Sequence, residues 1–519
     1  MPHDADPGHT SHNCAGTGED GRVRNQVQLI TYADRLARDL PGLRDLIADE
    51  MAGLFGGVHV LPFFTPIDGA DAGFDPVDHT QVDRRLGTWA DVHDLGRGLD
   101  LMVDVIVNHV SDRSPQFLDW LDRGEASPYA DMFLTMASVF PEGATEADLL
   151  GLYRPRPGLP FTPVVMADGS RRLAWTTFTG AQIDIDVHSD SGRAYLRSVL
   201  DRVAEAAAAS VRLDAVGYAV KTPGTSSFMT PQTFAFIGDL SDMCRERALE
   251  VLVEVHAHYQ SQIEIARKVD LVYDFALPPL VLHGLIAADP RPLHHWLQVR
   301  PRNCVTVLDT HDGIGVIDVA ADPADDTSEG LLTPEQIHDL VEAVHDNSGG
   351  TSRLATGAAA SNVDLYQVNC TYYDALARDD EAYLIARALQ FFTPGIPQVY
   401  YVGLLAGTND IDLLAQTNVG RDVNRHYYTR DEINVAMQRP VVAALRRLIA
   451  FRSWHSAFDG EFTTAVDGSE IVMAWRGEHE SARLDADLAA RTASLSWTEN
   501  GSQRSVASLL DMPDVPGAP

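Results

Sequence analysis

Eight stretches of the chain read as buried strands. Residues 25–32 (NQVQLITY) alternate apolar and polar positions, the period-2 signature of a strand. Residues 57–63, 101–107, 210–216, 249–259, 269–277, 304–315 and 394–403 are short, mostly apolar runs. Such runs suit strands covered on both faces, as in a parallel sheet. Between them lie stretches with apolar residues at helical spacing: 35–54, 89–98, 191–209, 231–248, 260–268, 280–288 with 293–298, and 381–391. A last helix is expected over 439–453. Strand and helix alternate eight times, which predicts an α/β fold of the (β/α)8 TIM type.

The rhythm breaks twice. Residues 111–187 are rich in Gly, Pro and aromatic residues without a regular period, and residues 316–377 form a second long gap between strands. Gaps this long between barrel strands predict inserted subdomains rather than bare loops. The barrel then divides into 25–110, 188–315 and 378–457. From 458 to 519 short alternating runs (IVMAWRG, ARLDADLAA, TASLSWTEN) predict an all-β C-terminal domain. Residues 1–24 read as a disordered polar tail.

Composition narrows the function. The net charge of −34 disfavours nucleic acid and anionic membranes as partners. No run of 18 apolar residues appears, so no membrane-spanning helix is expected. The tail lacks the apolar segment of a secretory signal. His3, His9, His12 and Cys14 within it fit no zinc spacing. The four cysteines, Cys14, Cys244, Cys304 and Cys370, are scattered, which points to a reducing, cytoplasmic setting.

Candidate chemistry gathers at strand ends. Arg212 and Asp214 are two residues apart on one strand and so share a face. A guanidinium beside a carboxylate favours the ionised form, as a carboxylate nucleophile requires. A structural ion pair would read the same way. Glu254 lies near the end of a second strand, and a third ends in Asp309, His311 and Asp312. In a parallel barrel these ends converge on one face, where active sites lie.

DVIVNH (104–109), RLDAV (212–216), EVH (254–256) and THD (310–312) resemble the four signature regions of the α-amylase family of glycoside hydrolases. Longer strings, among them GVHVLPFFTPIDGADAGFDPVDHT (57–80), YRPRPGLPF (153–161), VLDTHDGIGVID (307–318), NVDLYQVN (362–369) and GRDVNRHYY (420–428), resemble the subgroup that phosphorolyses sucrose. The likeness runs from about residue 25 to about residue 460.

The resemblance implies a retaining enzyme that makes glucose 1-phosphate and fructose from sucrose and inorganic phosphate, with transglucosylation as a side activity. It implies Asp214 as nucleophile, Glu254 as general acid/base and Asp312 as stabiliser of the transition state. Arg212 would keep Asp214 ionised. His109 and His311 would bind glucose hydroxyls, with Phe74 beside them, and Asp71 and Arg421 would close the pocket at the 4-hydroxyl. For the acceptor it implies Tyr153, Pro155, Arg156, His256, Asp364, Tyr366 and Gln367. Arg156 is the candidate for phosphate, because a guanidinium matches its geometry, and Asp364 and Gln367 would face fructose. It implies no cofactor and no metal, although some relatives bind calcium near the position of Asn108. A homodimer is compatible with it. Sister activities on glucosylglycerol, glucosylglycerate or sucrose 6′-phosphate, and an α-glucosidase or transglucosylase, are the alternatives.

Overall fold

The computed structural model describes residues 23–69, 71–155, 158–322, 328–357 and 367–514. Eight parallel strands close a barrel: β1 (Gln28–Thr31), β2 (Gly57–Val60), β3 (Asp100–Ile106), β4 (Ser210–Asp214), β5 (Glu250–Val253), β6 (Leu271–Asp274), β7 (Cys304–Thr306) and β8 (Ile396–Tyr400). Neighbours in sequence are neighbours in space, and β8 returns to pair with β1. Valine, leucine and isoleucine dominate these strands, and the residues of β1 to β3 are all buried. One polar exception matters for the site: Arg212 on β4 lies in register with Asp104 on β3.

The helices surround the barrel, with two departures from the pattern expected over 35–54 and 304–312. The first helix is split into Ala33–Ala37 and Leu40–Ala48. Arg38 turns left-handed at φ 71°, and Asp39 restarts the helix by accepting from Gly42 N, with Pro41 in the first turn. Strand β7 stops at Thr306, so Asp309, His311 and Asp312 lie on the following loop.

Between β3 and β4 the chain forms helices Pro115–Arg123, Met136–Val139 and Glu146–Gly151 and a hairpin of Phe161–Val165 with Arg171–Trp175. This segment has a small core of its own around Leu134, Phe140 and Trp175. It is sewn to the barrel where His109–Ser111 pairs antiparallel with Gln182–Asp184. Between β7 and β8 lie helices Pro334–Asn347 and Thr351–Gly357 and a short antiparallel pair, Ile314–Gly315 with Gln367–Val368.

The C-terminal part is a five-stranded antiparallel sheet, β9 (Glu461–Asp467), β10 (Glu470–Arg476), β11 (Ser481–Asp487), β12 (Thr492–Glu499) and β13 (Ser502–Val506). The three central strands match the alternating runs in the sequence. Their inward residues, such as Ile471, Met473, Leu484 and Leu495, join the main core. No helix among the described residues is long and apolar enough to cross a membrane.

Candidate active site

The floor of the site is a charged chain laid across adjacent strand ends. Asp104 Oδ1 meets Arg212 Nη1 at 2.5 Å, and His59 Nε2 meets Asp104 Oδ2 at 3.0 Å. The same Arg212 nitrogen lies 2.9 Å from Asp214 Oδ1, while Nη2 lies 3.9 Å from Glu254 Oε1. One buried guanidinium thus reaches both candidate carboxyls. Burial opposes the charge on Asp104, but Arg212 and His59 hold its pKa down at about 2. Immediately after Asp214 the backbone turns sharply: Ala215 is left-handed at φ 55°. That conformation costs a non-glycine residue about 1–2 kcal/mol and is commonest where function demands it.

Above this floor is a pocket of about 640 Å³ including its open mouth. Of the residues expected from sequence, Asp71, Phe74, His109, Pro155, Asp214, Glu254, His256, His311, Asp312, Gln367 and Arg421 line it together. Arg212 lies beneath. Tyr153 stands one layer back, stacked on Phe228 at 4.5 Å behind the wall residue Tyr218. Arg156, Asp364 and Tyr366 lie outside the described residues. Asp309, which the sequence placed with the strand-end acids, faces away: both its oxygens are bound by Arg387 at 2.7–2.8 Å in the core.

Phe74 and His311 stack at 4.6 Å, nearly parallel, which makes a flat wall for a sugar ring. His109 Nε2 meets the Phe74 carbonyl at 2.9 Å. Burial depresses the pKa of both His109 and His311, so each is a neutral hydrogen-bonding group. Asp312 is different. Burial opposes its charge, yet Arg421 at 2.8 Å, His311, Arg425 and His256 together hold its carboxyl far below the ordinary range.

Asp214 departs from the expectation that Arg212 would lower its pKa and keep it ionised. Burial raises it most, and Glu254, Asp104 and Asp312 add to the rise, while Arg212 pulls it down. The net direction is upward, because several carboxyls crowd one arginine.

Sequence reasoning did not single out Phe178, Gln182, Ala215 and Tyr218, which also line the pocket. Phe178 and Gln182 come from the aperiodic insertion, where no spacing marks them. Ala215 and Tyr218 lie inside the RLDAVGYAVK string but have no chemistry that sets them apart. Lys221 from that string is buried, with its ammonium 2.7 Å from Asp184 Oδ2 and 2.8 Å from Asn108 Oδ1, and bonded to the Tyr218 carbonyl. It fastens the insertion, the end of β3 and the turn after Asp214 to one another. As for metal ligands, Glu254, His256 and Asp312 bring one donor atom each within 4.8 Å of one another. Those atoms belong to the wall of the sugar-sized pocket, and no other such group occurs among the described residues.

Comparison with known proteins agrees with this geometry. Residues 52–267 match the alpha amylase, catalytic domain, family. The chain is 58% identical over 464 residues to a sucrose phosphorylase of Agrobacterium vitis, covering 89% of this chain and 95% of the relative. It is 53% identical over 503 residues to a sucrose phosphorylase of Bifidobacterium adolescentis, covering 95% and 100%. The crystal structure of a sucrose 6F-phosphate phosphorylase from Thermoanaerobacter thermosaccharolyticum superposes with a TM-score of 0.86 at 36% identity, covering 94% of this chain and 100% of that one. With its carboxyl-bearing barrel, its two insertions and relatives matched over nearly their whole length, the chain belongs to the sucrose phosphorylase family of alpha-amylase-type enzymes.

Proposed function

We infer that the chain is a sucrose phosphorylase acting by double displacement through a covalent glucosyl-enzyme. Asp214 attacks the anomeric carbon of the glucosyl unit as the bond to the fructosyl oxygen breaks, and Glu254 gives that oxygen its proton. Phosphate then attacks the glucosyl ester, Glu254 takes its proton back, and α-glucose 1-phosphate leaves. Two inversions give net retention, which calls for carboxyls about 5–5.5 Å apart.

The observation that carries this reading is the Arg212 bridge beneath the pocket. Arg212 lies 2.9 Å from Asp214 and 3.9 Å from Glu254. The guanidinium is the group that opposes the rise in the Asp214 pKa caused by burial and the neighbouring carboxyls, and its closer approach to Asp214 suits that residue, rather than Glu254, to the part of the ionised nucleophile. Asp312, held ionised by Arg421, faces the positive charge that grows on the sugar ring in the transition state. Neutral His109 and His311 serve the hydroxyls without adding positive charge there. The same reading places the enzyme in the cytoplasm, where Cys244, Cys304 and Cys370 are buried and free.

The test is incubation with sucrose, with and without phosphate, followed by assay of glucose 1-phosphate and its anomeric form. Phosphate-dependent α-glucose 1-phosphate is expected. Free glucose alone, at a rate indifferent to phosphate, would overturn the reading, and a panel of other glucosides would then identify the substrate.

A further inference from the structure

The histidine beside Glu254 is held by a carboxylate that no motif singles out. Asp318 stands in the short turn Ile317–Val319 at the start of the second insertion and is 0 % exposed. Its Oδ2 lies 2.9 Å from His256 Nδ1. Its Oδ1 accepts from Ala257 N at 3.2 Å and from Gln262 Nε2 at 2.9 Å. The imidazole stacks on Phe275 with ring centroids 3.8 Å apart. Gly315 packs against this contact: a Cβ there would overlap Asp318 Oδ2 and come within 3.2 Å of His256 Nδ1. Glycine is what lets the pair meet. His256 Nε2 is thereby aimed into the pocket, 3.8 Å from Glu254 Oε1 and 3.3 Å from Gln367 Nε2.

We propose that Asp318 is a positioning residue for acceptor choice: it fixes the His256 imidazole beside Glu254, so that the second step favours phosphate over water and neutral hydroxyls. This rests on the phosphorylase reading. The incoming acceptor loses its proton to Glu254, so a group next to Glu254 stands where the acceptor stands. The charged groups facing His256 are Glu254 from its own loop and Asp312 and Asp318 from the segment after β7. Gln367 and Phe275 face it as neutral neighbours. Burial opposes its charge, but Asp318, Glu254 and Asp312 outweigh burial and raise its pKa. With His109 and His311 neutral, His256 and Arg421 are the groups among the described pocket-lining residues that can offer positive charge to an anion. Arg421 is already engaged by Asp312. In a chain of net charge −34, with four carboxyls in the pocket wall, an anion needs a fixed cation at the point of attack.

The experiment compares the wild type with Asp318→Asn, which keeps the shape and removes the charge. Sucrose and α-glucosyl fluoride serve as donors, and phosphate and glycerol as acceptors. The KM for phosphate should rise about tenfold, the scale of one charge-assisted hydrogen bond. Transfer to glycerol should stay within about twofold. The alkaline limb of kcat/KM for phosphate, set by loss of the His256 proton, should move at least about one pH unit lower. Equal losses on both acceptors, or an unmoved phosphate KM and alkaline limb, would overturn the proposal. Should Asp318→Asn not fold, the 15N shifts of His256 in the wild type at pH 7.5, assigned with a His256→Gln variant, decide. Imidazolium shifts support the proposal, and neutral imidazole shifts refute it. If the wild type makes no glucose 1-phosphate, the phosphorylase reading falls and the proposal with it. If the wild type makes it and Asp318→Asn treats phosphate and glycerol alike, only the proposal falls.

Discussion

At one end of the pocket Asp312 meets Arg421 at 2.8 Å and Arg425 at 3.8 Å, with Phe74 stacked on His311. At the second end, where His256 lies 3.8 Å from Glu254, the ring is set between Asp318, Phe275 and Gln367. The first end is braced loop against loop. Arg425 Nε donates to the His311 carbonyl at 2.8 Å, and Asn424 Nδ2 donates to the Thr310 carbonyl at 2.9 Å. Its ion pairs are self-contained, so it can hold the neutral glucosyl unit by shape and hydroxyl contacts. The second end joins barrel loops, which supply His256 and Phe275, to the second insertion, which supplies Asp318 and Gln367, and it presents charge. The donor sugar is the same in both steps, whereas the acceptor changes from fructose to phosphate. A rigid donor end and a loop-built, charge-tuned acceptor end fit that asymmetry.

The largest effect should come from the floor that both ends share. Asp214→Ala removes the group that forms the glucosyl-enzyme, so turnover on sucrose should fall by four orders of magnitude or more. A folded variant keeping a tenth of the activity would refute the role.

Glu254→Gln should separate the two steps. Activity on sucrose should drop by about a thousandfold, whereas α-glucosyl fluoride, whose leaving group needs little protonation, should still glucosylate the enzyme. Azide, which needs no general base, should restore turnover as glucosyl azide. Equal losses on both donors would show that Glu254 is not the acid/base.

Two arginines then sharpen the contrast between the ends. Arg421→Ala should cut kcat/KM for sucrose by about a hundredfold or more, since it frees Asp312 and opens the donor end, and the ratio of glucose 1-phosphate to glucose formed should hold. Arg156→Ala should do the reverse: sucrose use stays close to normal, and that ratio falls about ten- to a hundredfold with the loss of one charge-assisted contact to phosphate. Product ratios that shift in both variants, or in neither, would erase the distinction.

The smallest effect is on stability. Asp104 is held at about pKa 2 in the folded chain against an ordinary value of 3.8. A depressed carboxylate stabilises the fold above its unfolded pKa, and that contribution is lost as the pH falls from about 4 to about 2. It amounts to about 2 kcal/mol. The melting temperature of Asp104→Asn should therefore depend less steeply on pH across that window than that of the wild type.

The barrel was legible because strands buried on both faces must be apolar runs, and eight such runs separated by helical spacing leave few other folds. Six of the pocket-lining residues and Arg212 beneath them were legible from motifs at strand ends, and Asp71, Phe74, Pro155, Gln367 and Arg421 only from longer strings that fall in loops. What escaped was whatever depends on a partner far away in sequence. Asp309 has the same local context as Asp312, and only the fold shows that Arg387 takes it into the core. Asp318 looks like any loop acid until His256, 62 residues earlier, is placed against it. The edge strands β9 and β13 lack a strong alternation because β9 is only half-covered and β13 is almost wholly exposed.

Lys221 gives the site a cation that belongs to the chain itself. Its ammonium gathers Asp184, Asn108 and the Tyr218 carbonyl as a bound ion would. A free ion must be captured from solution, and its occupancy varies with its concentration and with competing ligands. A charge on a four-carbon tether is present at an effective concentration set by the backbone. The joint between the insertion and the catalytic strands is therefore assembled as soon as the chain folds, and dilution cannot empty it.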